Sequence, residues 1–134
     1  MTPEAASALL RGAGIPVTRQ RVQIACAFLG APAHLTAEQL VARMREQAPG
    51  LARATVYNTL GLFVAHGLVR EIIVDGGSVI YDSNTAPHFH YYDSRSGELG
   101  DLPAEALRVS GMPQLPPHLE LEAVDVIVRV RSRG

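Results

Sequence analysis

The sequence predicts an α/β (α+β) protein in two parts, a helical first part closed by a β-hairpin and a smaller α/β second part. Three observations predict it. Apolar residues recur at helical spacing as far as His66, two β-type runs then flank Asp75-Gly76-Gly77, and beyond Pro87 the pattern turns to period two. The chain has 134 residues, 47% hydrophobic and 19% charged, a globular balance that suits one sizeable domain or two small ones and is short for an enzyme on a large parallel sheet. No apolar run approaches the roughly 20 residues of a membrane span, so no membrane partner is expected. The N-terminus, MTPEAASALL, lacks the basic stretch and long apolar run of a secretion signal, and the expected compartment is cytoplasmic.

Two helices are expected first, Ala5 to Gly12 and Thr18 to Leu29, the second with Thr18 as N-cap and with Val22, Cys26 and Leu29 on one face. The next has a stronger start signal: Thr36-Ala-Glu-Gln39 fits a capping box, and Leu35 and Leu40 are placed as its hydrophobic staple. It should stop before Pro49-Gly50. A further helix is expected from Arg53 to His66, with Val56, Leu60, Phe63 and Val64 turned inward. Its opposite face gathers Ala54, Tyr57, Asn58, Gly61 and Ala65, small apart from one phenol and one amide, and able to approach a grooved partner closely. Gly67 supplies a stop. Leu68 to Val74 and Ser78 to Asp82 then read as a hairpin, and helices followed by a hairpin describe a winged helix.

The charges place limits on partners. The net charge of -1 gives no general pull toward nucleic acid, so any DNA contact must come from local placement. All 12 basic residues are Arg, whose planar guanidinium suits bidentate phosphate or guanine contacts. Arg19 and Arg21 stand at a helix start, where phosphate contacts are useful and where a merely solvated face is also common. The lone Cys26, within Ile24-Ala25-Cys26-Ala27-Phe28, reads as a small buried hydrophobe, and one thiol cannot build a four-cysteine zinc site.

In the second part, alternation puts His88 and His90 on one face of a strand, a bidentate grip for a metal. Other candidate ligands are Asp82 at the end of the hairpin, Asp101 at the end of the run Glu98 to Asp101, and His34 before the capped helix. Imidazoles with carboxylates suit Fe(II), Mn(II) or Zn(II). His66 and His118 read as surface residues. A helix is expected from Pro103 to Ser110, then a strand-rich tail in which Val124, Val126, Val128 and Val130 share a face. Leu119, Leu121 and Ala123 fall in the opposite phase, which predicts a bulge near Ala123. So apolar an edge strand calls for a partner; the lesser alternative is that it completes a monomer's sheet against the helix Pro103 to Ser110. Two other classes fit parts of this pattern. One is a metal-independent interaction module; the other is a small non-haem iron enzyme using His88, His90 and a carboxylate, for which the helical first half has no role.

Several segments occur together here: Val17-Thr-Arg-Gln-Arg21, His34-Leu-Thr-Ala-Glu-Gln-Leu40, Ala54-Thr-Val-Tyr-Asn-Thr-Leu60, Gly67-Leu-Val69, Tyr81-Asp82 and His88-x-His90. In combination they make the chain resemble the ferric uptake regulator superfamily of bacterial metal-dependent repressors over nearly its whole length. The resemblance implies a winged-helix DNA-binding domain at 1–83, a hinge at 84–87, and an α/β dimerisation and metal-sensing domain at 88–134. It implies one sensory metal site per subunit with ligands His34, Asp82, His88, His90 and Asp101, taking Fe(II) or Mn(II), with Zn(II) an in vitro substitute. It further implies a homodimer reading an A/T-rich inverted repeat in double-stranded DNA, without catalytic residues. Within that frame Tyr57 is assigned to thymine methyls or base edges, Asn58 to adenine or backbone, Thr55 to the same reading helix, and Arg19, Arg21 and Arg53 to phosphates.

The departures from the family pattern are informative. Where many members carry a CxxC pair for structural zinc, this chain has Asp93 and Ser96, and it has no second pair, so no structural CxxC zinc is expected. Pro87 and Phe89 stand where some relatives place ligands of a further site. The missing pairs, Asn58, the Leu-Pro-Pro-His118 segment and the ending Val124 to Arg131 look like the iron response regulator subgroup, which responds to haem and controls iron and haem genes. Haem at His88 or His90 and direct metal sensing, including a Mn(II)-, Zn(II)- or peroxide-responsive member of the superfamily, are both compatible with these residues.

Overall fold

The computed structural model describes all residues, Met1–Gly134, and the chain divides into two compact units, Met1–Thr85 and Ala86–Gly134. No helix is long and apolar enough to cross a membrane.

The first unit holds four helices, α1 (Pro3–Gly12), α2 (Arg19–Phe28), α3 (Ala37–Gln47) and α4 (Arg53–Ala65), and three short strands, β1 (His34–Leu35), β2 (Arg70–Ile73) and β3 (Val79–Asp82). The helix starts are set by side-chain oxygens. The hydroxyls of Thr2 and Thr18 accept from Ala5 N–H and Arg21 N–H, and Thr36 and Gln39 complete a reciprocal capping box at α3. Glycines end α1 and α4. At each end the chain turns through a left-handed Gly, Gly14 or Gly67, so that Ile15 N–H reaches back to Leu10 carbonyl and Leu68 N–H to Phe63 carbonyl at 2.9 Å. Both returning residues then pack against the helical core.

That core is continuous, formed by Leu10, Ile24, Phe28, Leu40, Met44, Leu60 and Phe63 among others. On α4, Val56, Leu60 and Phe63 are buried and Val64 half-buried, while Ala54, Tyr57, Asn58, Gly61 and Ala65 are exposed, as the periodicity predicts. Thr59 is also buried, a polar residue the apolar pattern does not mark. The hairpin β2–β3 pairs Ile72 with Ile80 around a single 3₁₀ turn at Asp75–Gly77. β1 adds to the other edge of β3, giving sheet order β1-β3-β2. A two-residue strand carries too little pattern to be seen in sequence.

The second unit is a three-stranded sheet of β4 (Phe89–Asp93), β5 (Leu99–Leu102) and β6 (Ile127–Val130), in the order β5-β4-β6. β5 is antiparallel to β4 and β6 parallel to it. Gly100 lies opposite Tyr91, whose ring fills the space a Cβ would need. Two expectations for the tail fail. Pro103 to Ser110 is not a helix but one 3₁₀ turn at Ala104–Ala106 followed by irregular chain. So short a segment closes few helical hydrogen bonds, and its apolar residues Leu107 and Val109 find no core to bury in. The strand before Ile127 is absent as well, so there is no bulge near Ala123; Leu119, Leu121 and Val124 are exposed on irregular chain. The sheet that forms buries little apolar surface, chiefly Tyr92 and Leu99.

At the far end of β4, the Asp93 carboxylate accepts from Arg95 N–H at 2.9 Å and from Ser132 N–H at 3.2 Å, and Ser132 hydroxyl donates to its second oxygen. These bonds tie the β4–β5 turn to the chain leaving β6. They hold the Asp93 carboxyl well below the usual carboxylate range, the Ser132 hydroxyl first among the causes.

Candidate metal-ligand sets and nucleic-acid face

In the first unit the pairing of β1 with β3 sets His34 directly opposite Asp82. His34 Nε2 lies 3.3 Å from Asp82 Oδ2, and Asp82 is fully buried. Its other oxygen accepts from Asn84 N–H at 2.9 Å, which fixes the carboxylate with Oδ2 turned toward the imidazole. Burying a carboxylate is costly unless charge or hydrogen bonds compensate, so this arrangement favours a cationic neighbour.

In the second unit, β4 and β5 bring His90 opposite Asp101, and His88, the residue just before β4, lies against His90. Asp101 Oδ1 lies 3.2 Å from His88 Nε2 and 3.5 Å from His90 Nε2, and the two rings meet edge to face with centroids 4.4 Å apart. His88 Nδ1 is 2.5 Å from Ala86 carbonyl, an oxygen that can only accept, so Nδ1 carries a proton, and Nε2 is the ring nitrogen that faces Asp101. The side chains of His88 and His90 are buried, whereas Asp101 is 46% exposed. Asp101 lies within β5 rather than at its end.

Two donors bound to one ion at about 2.0–2.2 Å, at angles between tetrahedral and octahedral, stand about 3.0–3.5 Å apart. The nitrogen–oxygen separations within each set fall in that span. The donors are imidazole and carboxylate without thiolate, and a ring N–H donated to a backbone carbonyl, as at His88, is the usual support of a metal-ligating His. The residues therefore fit Mn(II), Fe(II) or Zn(II).

The exposed face of α4 carries the DNA-reading candidates. Tyr57 and Asn58 are exposed, Thr55 is half-buried, and Arg53 opens the helix. Arg53 is engaged: its guanidinium donates to Glu38 Oε2 at 2.6 Å and to Tyr57 hydroxyl at 3.2 Å, and lies 5.0 Å from the ring centre. Tyr57 hydroxyl in turn donates to the other oxygen of Glu38. The contact of Glu38 with these two residues has no signal in the sequence, where nothing local joins Glu38 to α4. On α2, Arg19 is exposed, whereas Arg21 donates to Pro16 carbonyl at 2.7 Å and is drawn against the preceding loop. His66 is exposed, with Nδ1 2.9 Å from Ala13 carbonyl. His118 is exposed, and Cys26 is half-buried rather than fully buried, packed against the helical core.

Comparison with known proteins decides the lineage. Residues 12–112 match the model of the ferric uptake regulator family. The chain belongs to that family. Its members are metal-responsive transcription regulators, not enzymes, so the non-haem iron enzyme reading falls. The chain is 32% identical over 99 residues to the peroxide-responsive repressor PerR of Staphylococcus epidermidis, a match covering 74% of this chain and 66% of that repressor's length. Among solved structures it resembles the ferric uptake regulator of Pseudomonas aeruginosa with manganese, at 27% identity and a TM-score of 0.71, covering 96% of this chain and 98% of that one. The Vibrio cholerae ferric uptake regulator shares the fold at 21% identity and a TM-score of 0.70, covering 94% of this chain and 98% of that one. The fold is thus that of a DNA-binding domain followed by a dimerisation domain.

Proposed function

We propose that this regulator is a divalent-metal-responsive, sequence-specific DNA-binding repressor, acting as a homodimer on an A/T-rich inverted repeat. The observation that carries the metal reading is His88, its Nδ1–H held by Ala86 carbonyl and its Nε2 turned toward Asp101 beside His90. The ligands of the single sensory site are His34 and Asp82 from the first unit and His88, His90 and Asp101 from the second. A dication bound by all five offsets the charges of Asp82 and Asp101 and ties together the segments on either side of Asn84–Pro87. The first unit then reads DNA through α4, with Tyr57 and Asn58 at base edges, Thr55 beside them, and Arg19, Arg21 and Arg53 on phosphates. The exposed apolar residues of the second unit, Leu119, Leu121, Val124 and Val128 among them, supply the surface for pairing two chains.

The regulated genes on this reading serve iron and haem homeostasis. The 32% identity to a peroxide-responsive repressor favours a second reading, in which the same site reports peroxide through its metal. Haem at His88 or His90 is the prediction of the iron response regulator likeness, and the experiment separates all three. Fluorescence anisotropy on an A/T-rich palindrome is compared for chelator-stripped protein, protein with Mn(II), protein with Mn(II) and haem, and Fe(II)-loaded protein exposed to peroxide. Binding that requires Mn(II) supports the proposal. Its abolition by haem assigns the protein to the haem-responsive subgroup, loss only of the Fe(II) form with peroxide supports the second reading, and no binding in any state overturns all three.

A further inference from the structure

We propose that Glu38 is an internal competitor for DNA, a carboxylate that occupies the phosphate-binding fork of Arg53 and the hydroxyl of Tyr57 and so sets how tightly the protein holds any duplex. The inference rests on the reading of Arg53 and Tyr57 as DNA contacts. Glu38 is the second residue of α3, and Arg53 and Tyr57 are one turn apart at the start of α4. The capping box fixes the backbone of that first turn of α3, which aims the Glu38 side chain across at α4. Both carboxylate oxygens are used: Oε2 takes Arg53 at 2.6 Å, and Oε1 takes Arg53 and the Tyr57 hydroxyl. A bidentate carboxylate has the shape and charge with which a phosphate engages the same guanidinium.

The stabilising value of this contact is small, because both side chains are more than half exposed, at 55% for Arg53 and 57% for Glu38. Its consequence is for binding. A phosphate that reaches Arg53 must take the guanidinium from Glu38, and it then lies beside a carboxylate of like charge. The Tyr57 hydroxyl is likewise spoken for until the helix meets a base edge. Glu38 holds both readers in one ordered pose and subtracts from the charge that Arg53 can offer.

The experiment measures anisotropy of the Mn(II)-loaded full chain on the palindrome and on a random duplex, across a salt series, for wild type, Glu38→Gln, Arg53→Ala and the double variant. Thermal melting checks that each is folded. Glu38→Gln should tighten binding to both duplexes about three- to tenfold and steepen the salt dependence by up to about one unit, since one more phosphate is neutralised. In the Arg53→Ala background the gain should shrink to what release of the Tyr57 hydroxyl alone provides, and the salt dependence should not steepen. If Arg53→Ala weakens binding while Glu38→Gln leaves it unchanged or weaker, the competitor role is overturned and the DNA reading of Arg53 stands. An undiminished gain in the double variant would mean a general charge effect and also overturns it. If neither Arg53→Ala nor Tyr57→Ala alters binding to any duplex, the DNA reading of α4 fails, and this inference with it.

Discussion

His34 and Asp82, far apart in the chain, are direct partners across the β1–β3 pairing, with Nε2 and Oδ2 3.3 Å apart and the carboxylate fully buried. The two-residue strand that makes this possible immediately precedes the capping Thr36. The start of α3 and the His34–Asp82 pair are therefore one local construction.

Asp82→Asn should keep the fold while weakening the response to metal. Wild-type chain in Mn(II) at about 100 times its dissociation constant should gain about 2.7 kcal/mol of stability, seen as a rise in melting temperature. The variant should show little rise. An equal rise in both would remove Asp82 from the ligand set.

Thr36→Ala removes one half of the capping box and should destabilise the first unit by about 1 kcal/mol in urea unfolding. Because His34 lies only two residues before the cap, the same change should also lower Mn(II) affinity. A stability loss without any change in affinity would uncouple the cap from the ligand.

Tyr57→Ala should lower affinity for the palindrome with little change in salt dependence, whereas Arg19→Ala should weaken all sequences and reduce the slope by about one unit. Equal losses of Tyr57→Ala on palindrome and random DNA would count against base reading by that residue.

Asp93 carries an acid-stability prediction. Its carboxyl is held below its ordinary value by the Ser132 hydroxyl and the N–H groups of Arg95, Ser132 and Ser96. A carboxyl depressed in the folded state contributes stability that is complete above its unfolded value of about 3.9 and is lost as pH falls toward the folded one. Asp93→Asn should therefore be less stable than wild type at neutral pH, with the gap closing progressively below about pH 4. A gap constant from pH 7 to pH 3 would contradict this.

Local signals made most of the first unit legible. The Thr caps, the Gly stops and the face of Val56, Leu60 and Phe63 each depend on neighbours within a turn or two, and periodicity reports such neighbours well. His88 and His90 were legible because alternation alone places them together. What escaped depends on distant partners. β1 exists because β3 offers it an edge, and the contact of Glu38 with Arg53 and Tyr57 joins two helices whose sequences say nothing of each other. The tail failed in the opposite direction. Leu119, Leu121 and Val124 have the pattern of a strand, but an apolar pattern becomes a strand only where something covers it, and within one chain these side chains stay exposed. Asp101 was legible as a residue type, and its place opposite His90 comes from the β4–β5 register.

The central claim is that one ion is held jointly by ligands from both units. Its most direct test is Mn(II) binding to the full chain, with stoichiometry and affinity measured by isothermal titration calorimetry for wild type, His34→Ala and His90→Ala. The account predicts one Mn(II) per chain and a loss of that same site, by about 10- to 100-fold or more in affinity, on substitution in either unit. Two ions per chain, each removed by only one of the substitutions, or wild-type affinity in His34→Ala, would contradict it.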